Sequence, residues 1–446
     1  MHLSSPRRLL ALAATTLPQL VSAVNPLVRL DYASYNGVSG DNGISKWLGI
    51  RYAAPPLGNL RFAEPQDPNH ESQTVDASNH GPICLDTKAT LPDGKSDEDC
   101  LFLDVYAPSS ASSRQKLPVY VFIQGGGFQA NSNYNYDGTG LIQASNNGIV
   151  VVTLNYRVGP FGFLASKEVA KGASLNNGLK DQRKALQWVQ KYISQFGGDP
   201  NHVVLGGASA GASSVTFHLT AYGGRNDGLF VGTTSESQAM GVELNVDQSQ
   251  FVYDGLVSRT GCNHKSDTLA CLRGLDINDL QSKNIVIPFP GQSSAGLYVY
   301  GPTLDGDLIR DYMPNLLAQG KYIRVPAIFG DDTNEGTVFT PRSTNSQSDT
   351  NAFLTNNFPD LTNDQLNRIA TLYPVGNYPT FANSGRYWRQ AADIFGEMRY
   401  ICPGLAFTRV WAKNSVVWNY RWNVLDPATQ DQGKPPPPSL TRKRPH

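Results

Sequence analysis

The chain carries no excess of either charge: Lys plus Arg and Asp plus Glu number 37 each, so the formal net charge is zero. That balance argues against a basic nucleic-acid face and leaves no basic tract for a membrane surface. No stretch beyond the N-terminal segment approaches the roughly 20 apolar residues that span a bilayer. No Cys/His spacing of metal-ligand type occurs, so neither a metal nor a cofactor is expected. Asn-x-Ser/Thr is absent, which removes N-glycosylation from consideration. Internal repeats are absent too, and low complexity is confined to the proline run 435–438. The composition is 40% hydrophobic and 10% aromatic, which suits a packed globular enzyme and not a disordered chain. At 446 residues there is room for one large α/β domain or several smaller ones.

The N-terminus has the pattern of an export signal. Arg7 and Arg8 form a basic start, residues 9–20 a short apolar run, and Val21-Ser22-Ala23 a small-residue cleavage site. Residues 1–23 are therefore expected to be removed, and the mature protein to be soluble and secreted. Export makes disulfides reasonable. Cys84 with Cys100, and Cys262 with Cys271, are close enough in sequence to close small loops, and Cys402 is left over.

Strand and helix signals alternate. Residues 117–123 place Val119, Val121 and Ile123 on one side, and 148–156 hold the continuous β-branched run of an interior parallel strand. Residues 181–196 carry a helical stripe of Ala185, Trp188, Val189, Tyr192 and Ile193, stopped by Gly197-Gly198-Asp199-Pro200. Further strands are expected at 203–206, 325–330 and 415–422, with a helix at 212–219. Residues 222–325 are expected to form helices and loops over the sheet. This order implies an α/β fold around a mostly parallel sheet with helices on both faces.

Gly207-Ala208-Ser209-Ala210-Gly211 sits between the 203–206 strand and the 212–219 helix. G-x-S-x-G at a strand-to-helix turn is the nucleophile elbow of an α/β-hydrolase. Acyl transfer through serine needs a nucleophile, a base oriented by an acid, and donors for the oxyanion. Ser209 supplies the first. Gln124-Gly125-Gly126-Gly127-Phe128 follows an apolar strand, and glycines there let backbone N–H groups approach a substrate. Ala210, as the residue after the serine, would add its own N–H. For the acid, the residues leave Asp331, Asp332 and Glu335 open.

Several other stretches complete a pattern that resembles the type B carboxylesterases, the esterase, lipase and cholinesterase group, in a fungal, secreted style. These are Trp47-Leu48-Gly49-Ile50-Arg51-Tyr52-Ala53, Pro55-Pro56-Leu57-Gly58, Leu60-Arg61-Phe62, and Glu98-Asp99-Cys100-Leu101-Phe102-Leu103-Asp104-Val105. Asn155-Tyr156-Arg157, Asn177-Gly178-Leu179 with Asp181-Gln182, and Phe196-Gly197-Gly198-Asp199-Pro200 fit as well. The resemblance runs from about residue 30 to about 427. It implies that the acid is Glu335, in Asn334-Glu335-Gly336, and that the oxyanion donors are Gly126, Gly127 and Ala210. It also implies the pairings Cys84–Cys100 and Cys262–Cys271. Ala208 stands where the family usually has an acidic residue, and Gln124 where some members carry His.

The pattern departs most at the base. The family order is Ser, Glu, then His, yet the only histidine after Glu335 is His446, in the proline-rich basic tail 434–446, which is expected to be disordered. His2 falls in the export signal, His70 and His80 precede the serine, His202 precedes the elbow strand, and His264 lies between Cys262 and Cys271. His218 is expected to face away from the nucleophile. The reading is a hydrolase domain at 24–433 lacking its C-terminal part, less stable than a full-length relative. Ser209 is competent in scaffold and crippled in proton transfer.

The expected substrate is a small-molecule ester with a soluble or short acyl group. The Cys84–Cys100 loop is short for a lid and holds no tryptophan for a quaternary ammonium. Phe128, Phe161 and Phe163 stand where either pocket or core residues would. The alternatives are a catalytically inactive binding protein on the same fold, or a thioesterase or peptidase. The oligomeric state is not readable.

Overall fold

Apolar, β-branched runs build the centre of a nine-stranded sheet. In chain order its strands are β1 (Val38–Ser39), β2 (Ile44–Arg51), β3 (Phe102–Pro108), β4 (Leu117–Ile123), β5 (Val150–Leu154), β6 (Gly198–Ala208), β7 (Gly232–Glu236), β8 (Ala327–Asp332) and β9 (Val417–Trp422). The order across the sheet is β9-β8-β7-β6-β4-β5-β3-β2-β1. From β5 to β9 every pairing is parallel, and β1, β2 and β3 add antiparallel pairings at the other end. This is a mixed, mostly parallel α/β-hydrolase sheet with helices around it. The computed structural model describes residues 25–40, 42–88, 91–112, 114–132 and 134–424. The expected export signal (1–23) and tail (434–446) lie outside the described residues.

β5 is buried at all five positions, as its unbroken Val-Val-Val-Thr-Leu run requires between two covered faces. The predicted 181–196 helix begins four residues earlier, as α1 (Asn177–Tyr192). It buries Ala185, Leu186, Trp188 and Val189, and Trp188 Nε1 donates to Tyr32 Oη at 2.9 Å. A 3-10 turn (Ile193–Phe196) follows, and Gly197 stops it at φ 87°, a conformation that glycine adopts without strain. At the helix start Asp181 is fully buried and takes Arg157 Nε at 2.8 Å and Nη2 at 2.7 Å.

β7 corrects the expectation of only helices and loops over 222–325. Its Gly-Thr-Thr-Ser-Glu sequence has no apolar run. It is held by neighbours on both sides: Thr233, for example, pairs with Leu205 of β6 and Ala327 of β8. Tertiary pairing sets its conformation where local pattern does not.

The structure closes Cys84–Cys100 and Cys262–Cys271 as disulfides. Among the described residues no helix is long and apolar enough to cross a membrane. Among them, too, β9 is the edge strand of the sheet, with Trp418, Tyr420 and Trp422 exposed.

Candidate active site

The elbow follows from two close backbone approaches. β6 ends at Ala208 and α2 (Ala210–Gly224) begins at once, leaving Ser209 at φ 56°, ψ −119°. A non-glycine residue there is strained, and such strain persists only where its surroundings enforce it. A Cβ on Gly207 would lie 2.5 Å from the Gly211 carbonyl, and one on Gly211 would lie 2.0 Å from the Ile123 oxygen at the end of β4. Both positions need glycine for space. Ser209 N–H donates to the Glu236 carbonyl at 2.8 Å, which ties the turn to β7. Ser209 remains half-buried.

The glycine loop after β4 lies against this turn. A Cβ on Gly125 would meet Ser209 Cβ at 2.9 Å. Gly126 and Gly127 have φ 115° and 63°, and Cβ atoms there would lie 1.9 Å from the Ala130 oxygen and from the Tyr298 ring. Among the described residues the N–H groups of Gly126 and Gly127 donate to no backbone carbonyl. Ala210 N–H, in the first turn of α2, has no partner within its helix. Three donors are therefore available close to the Ser209 turn. Gln124 is turned aside, its Nε2 donating to Asn131 Oδ1 at 3.0 Å.

The acidic turn follows β8. The sheet register lines up Ala208, Glu236 and Gly330 across β6, β7 and β8, so Ser209 and the turn leave the same edge of the sheet. Glu335 is 8% exposed, and its Oε1 accepts from Asp332 N–H at 2.7 Å. Burial pushes its carboxyl from 4.5 up to about 7, opposed by hydrogen bonds from the Asp332 N–H and the Ser237 side chain. Ser237 directly follows β7, the strand between β8 and β6. Asp331 is buried and also raised to about 7, by burial and then by the charges of Glu335 and Asp332. Its Oδ2 lies 2.9 Å from where a Gly404 Cβ would stand, on the helix α3 (Cys402–Trp411), and Asp332 is exposed. Of the three carboxyls left open by the sequence, Glu335 alone is bonded toward the serine side.

Two strand spacings separate β6 from β8, roughly 10 Å. A proton can cross that gap only through a bridging group. His218 is wholly buried, its Nε2 2.8 Å from Gln182 Oε1, and burial holds its pKa well below the usual imidazole value. His80 pairs with Asp104 at 2.7 Å. His70, His202 and His264 are exposed elsewhere. His446 lies outside the described residues.

A cavity opens beside the glycine loop and Ala210. Phe128 and Phe163 line it, whereas Phe161 stacks on Phe62 in the core. Tyr298 and Arg399 also line it. Sequence reasoning missed these two and Ser237, since each is polar or aromatic in a segment without periodic signal.

A sequence model described as the carboxylesterase family matches residues 26–443. The chain is 34% identical over 403 residues to Lipase 5 of Diutina rugosa, covering 82% of this chain and 72% of that protein. It is 31% identical over 435 residues to Secreted lipase 4 of Gibberella zeae, covering 92% of this chain and 78% of that one. Among solved structures it resembles EstA of Aspergillus niger, with a TM-score of 0.88 and 44% identity over 92% of this chain and 80% of the other.

Proposed function

The chain belongs to the carboxylesterase family and is a carboxylic ester hydrolase of that family, and from this premise we propose that it works through an acyl-enzyme on Ser209. Ser209 Oγ attacks the ester carbonyl carbon while its proton passes to solvent water, and the carbonyl electron pair moves onto oxygen. The N–H groups of Gly126, Gly127 and Ala210 hold that oxyanion. Collapse breaks the ester C–O bond, the departing oxygen takes a proton from water to leave as the alcohol, and the acyl group stays on Ser209. Water then adds to the acyl carbon, the Ser209 Oγ–acyl bond breaks, and the acid is released as Oγ regains a proton. Glu335 is assigned as the acid, whose role in this reading would be to orient an imidazolium across the gap between β8 and β6.

The observation that carries this reading is the strained, half-buried Ser209 beside a glycine loop in which, among the described residues, the Gly126 and Gly127 N–H groups donate to no backbone carbonyl. A second observation limits turnover: no described histidine lies between Ser209 and Glu335. In well-studied serine proteases, loss of one triad member still leaves ~10³–10⁴-fold acceleration over water. We therefore expect slow turnover from the described residues alone, and a non-catalytic binding role is the second reading. Residues 1–23 are assigned to export and 24–433 to the hydrolase domain. The printed names of the secreted lipase relatives and the two disulfides support an extracellular setting.

The test is fluorophosphonate labelling with hydrolysis of p-nitrophenyl acetate and butyrate. The unmodified chain should label and release p-nitrophenol, and Ser209→Ala should do neither. Equal labelling of both would refute the assignment of Ser209. Labelling without multiple turnover would favour the binding role.

A further inference from the structure

Among the described residues, Arg399 is a buried cation without an ion-pair partner. It sits in the π-helical turn Glu397–Ile401 and is 7% exposed. Among the described residues no carboxylate forms an ion pair with it, and its Nε has no hydrogen-bond partner. Its guanidinium lies 4.6 Å from the centroid of the Tyr298 ring. That ring packs flush on Gly127, where a Cβ would come within 1.9 Å of it. The terminal nitrogens stand 3.4 and 3.5 Å from where a Gly241 Cβ would be, and Gly241 lines the same cavity. One aromatic ring therefore separates a desolvated guanidinium from the loop that cradles the reacting carbonyl.

A buried, unpaired charge is costly, and native structures keep one only when something compensates it. Stacking on Tyr298 engages a face of the guanidinium and uses none of its in-plane N–H donors, of which Nε has no partner among the described residues. Glu243 lines the same cavity but forms no ion pair with Arg399 among the described residues; its Oε2 accepts from Met313 N–H at 2.9 Å. Its Oε1 has no partner. The missing counter-charge would then come from the ligand.

We propose that the cavity takes an acyl chain ending in a carboxylate, gripped by Arg399, so that the preferred substrates are half-esters of aliphatic dicarboxylic acids. The inference rests on the Ser209 reading for its orientation, since the ester end must face Gly127 and Ala210. The carboxylate end needs only the planar fork of Arg399, which matches a carboxylate with two parallel N–H donors.

Binding is measured separately from catalysis. Isothermal titration of the Ser209→Ala chain compares monomethyl adipate with methyl hexanoate, which has the same acyl length and no carboxylate. The half-ester should bind at least ~10-fold more tightly. Arg399→Met in the same background should abolish that preference, and Arg399→Lys should keep part of it. Equal binding of the two esters by Ser209→Ala overturns the proposal without any change at Arg399, so a folding defect in the variants cannot mask the result. A preference that survives Arg399→Met overturns it as well. A pH-stat comparison on the unmodified chain reads kcat/KM for the same two esters. If Ser209→Ala hydrolyses them equally well, the nucleophile assignment fails while the binding result stands.

Discussion

Replacing Glu335 by Gln should make the protein more stable while removing its acid. The carboxyl is buried, and its pKa rises from 4.5 to about 7. At about 1.4 kcal/mol per pKa unit, that displacement is worth about 3 kcal/mol. The sign follows from linkage. An acid whose folded pKa is raised opposes folding once it ionises, so stability is fullest below the unfolded value and is lost as pH rises through about 7. Gln is neutral throughout, and its side-chain oxygen can still accept from Asp332 N–H. Urea unfolding should therefore find Glu335→Gln more stable than the parent by about 3 kcal/mol at pH 8 and by under ~1 kcal/mol at pH 5. Removing the charge also relieves Asp331, which Glu335 pushes upward, and this adds in the same direction. A stability difference that does not grow between pH 5 and pH 8 would refute the claim that this carboxylate is held against its preference.

Gly211→Ala forces a Cβ to within 2.0 Å of the Ile123 oxygen, so the start of α2 must shift. Destabilisation of about 1–3 kcal/mol should accompany a fall in fluorophosphonate labelling of about 10²-fold; normal labelling would show that the turn tolerates the shift. Arg157→Met leaves Asp181 buried and unpaired, and should cost about 3–5 kcal/mol in denaturant unfolding. The double variant Arg157→Met/Asp181→Leu should recover much of that loss. His80→Gln removes the partner of Asp104, which raises the His80 pKa. The His80 contribution is complete below its unfolded value and fades as pH rises through the folded one. The variant should therefore lose more stability at pH 5.5 than at pH 8.5, and a pH-independent loss would contradict the pairing.

Strands with a continuous apolar run were legible: β4 occupies the predicted residues, and β5 lies inside its predicted span. β7 was not, because Thr233, Thr234 and Ser235 owe their strand conformation to β6 and β8. The elbow could be read because its chemistry is local: the glycines that make room for it are four residues apart. The acid turn was only half legible. Asp331, Asp332 and Glu335 look alike along the chain and differ in where β7 and α3 stand around them. Tyr298 and Arg399 had no such signal, since Tyr298 takes its meaning from packing on Gly127 and Arg399 from stacking on Tyr298, each far away in sequence.

The outer strand, Val417–Trp422, has consequences at the bench. Among the described residues no strand pairs with its outer side, and Trp418, Tyr420 and Trp422 are exposed along it, a surface on which another extended chain could dock. Light scattering should then rise steeply with protein concentration and fall when a lysine replaces Trp418. Stocks kept dilute, or handled with a mild surfactant, would be the ones that report on a single molecule.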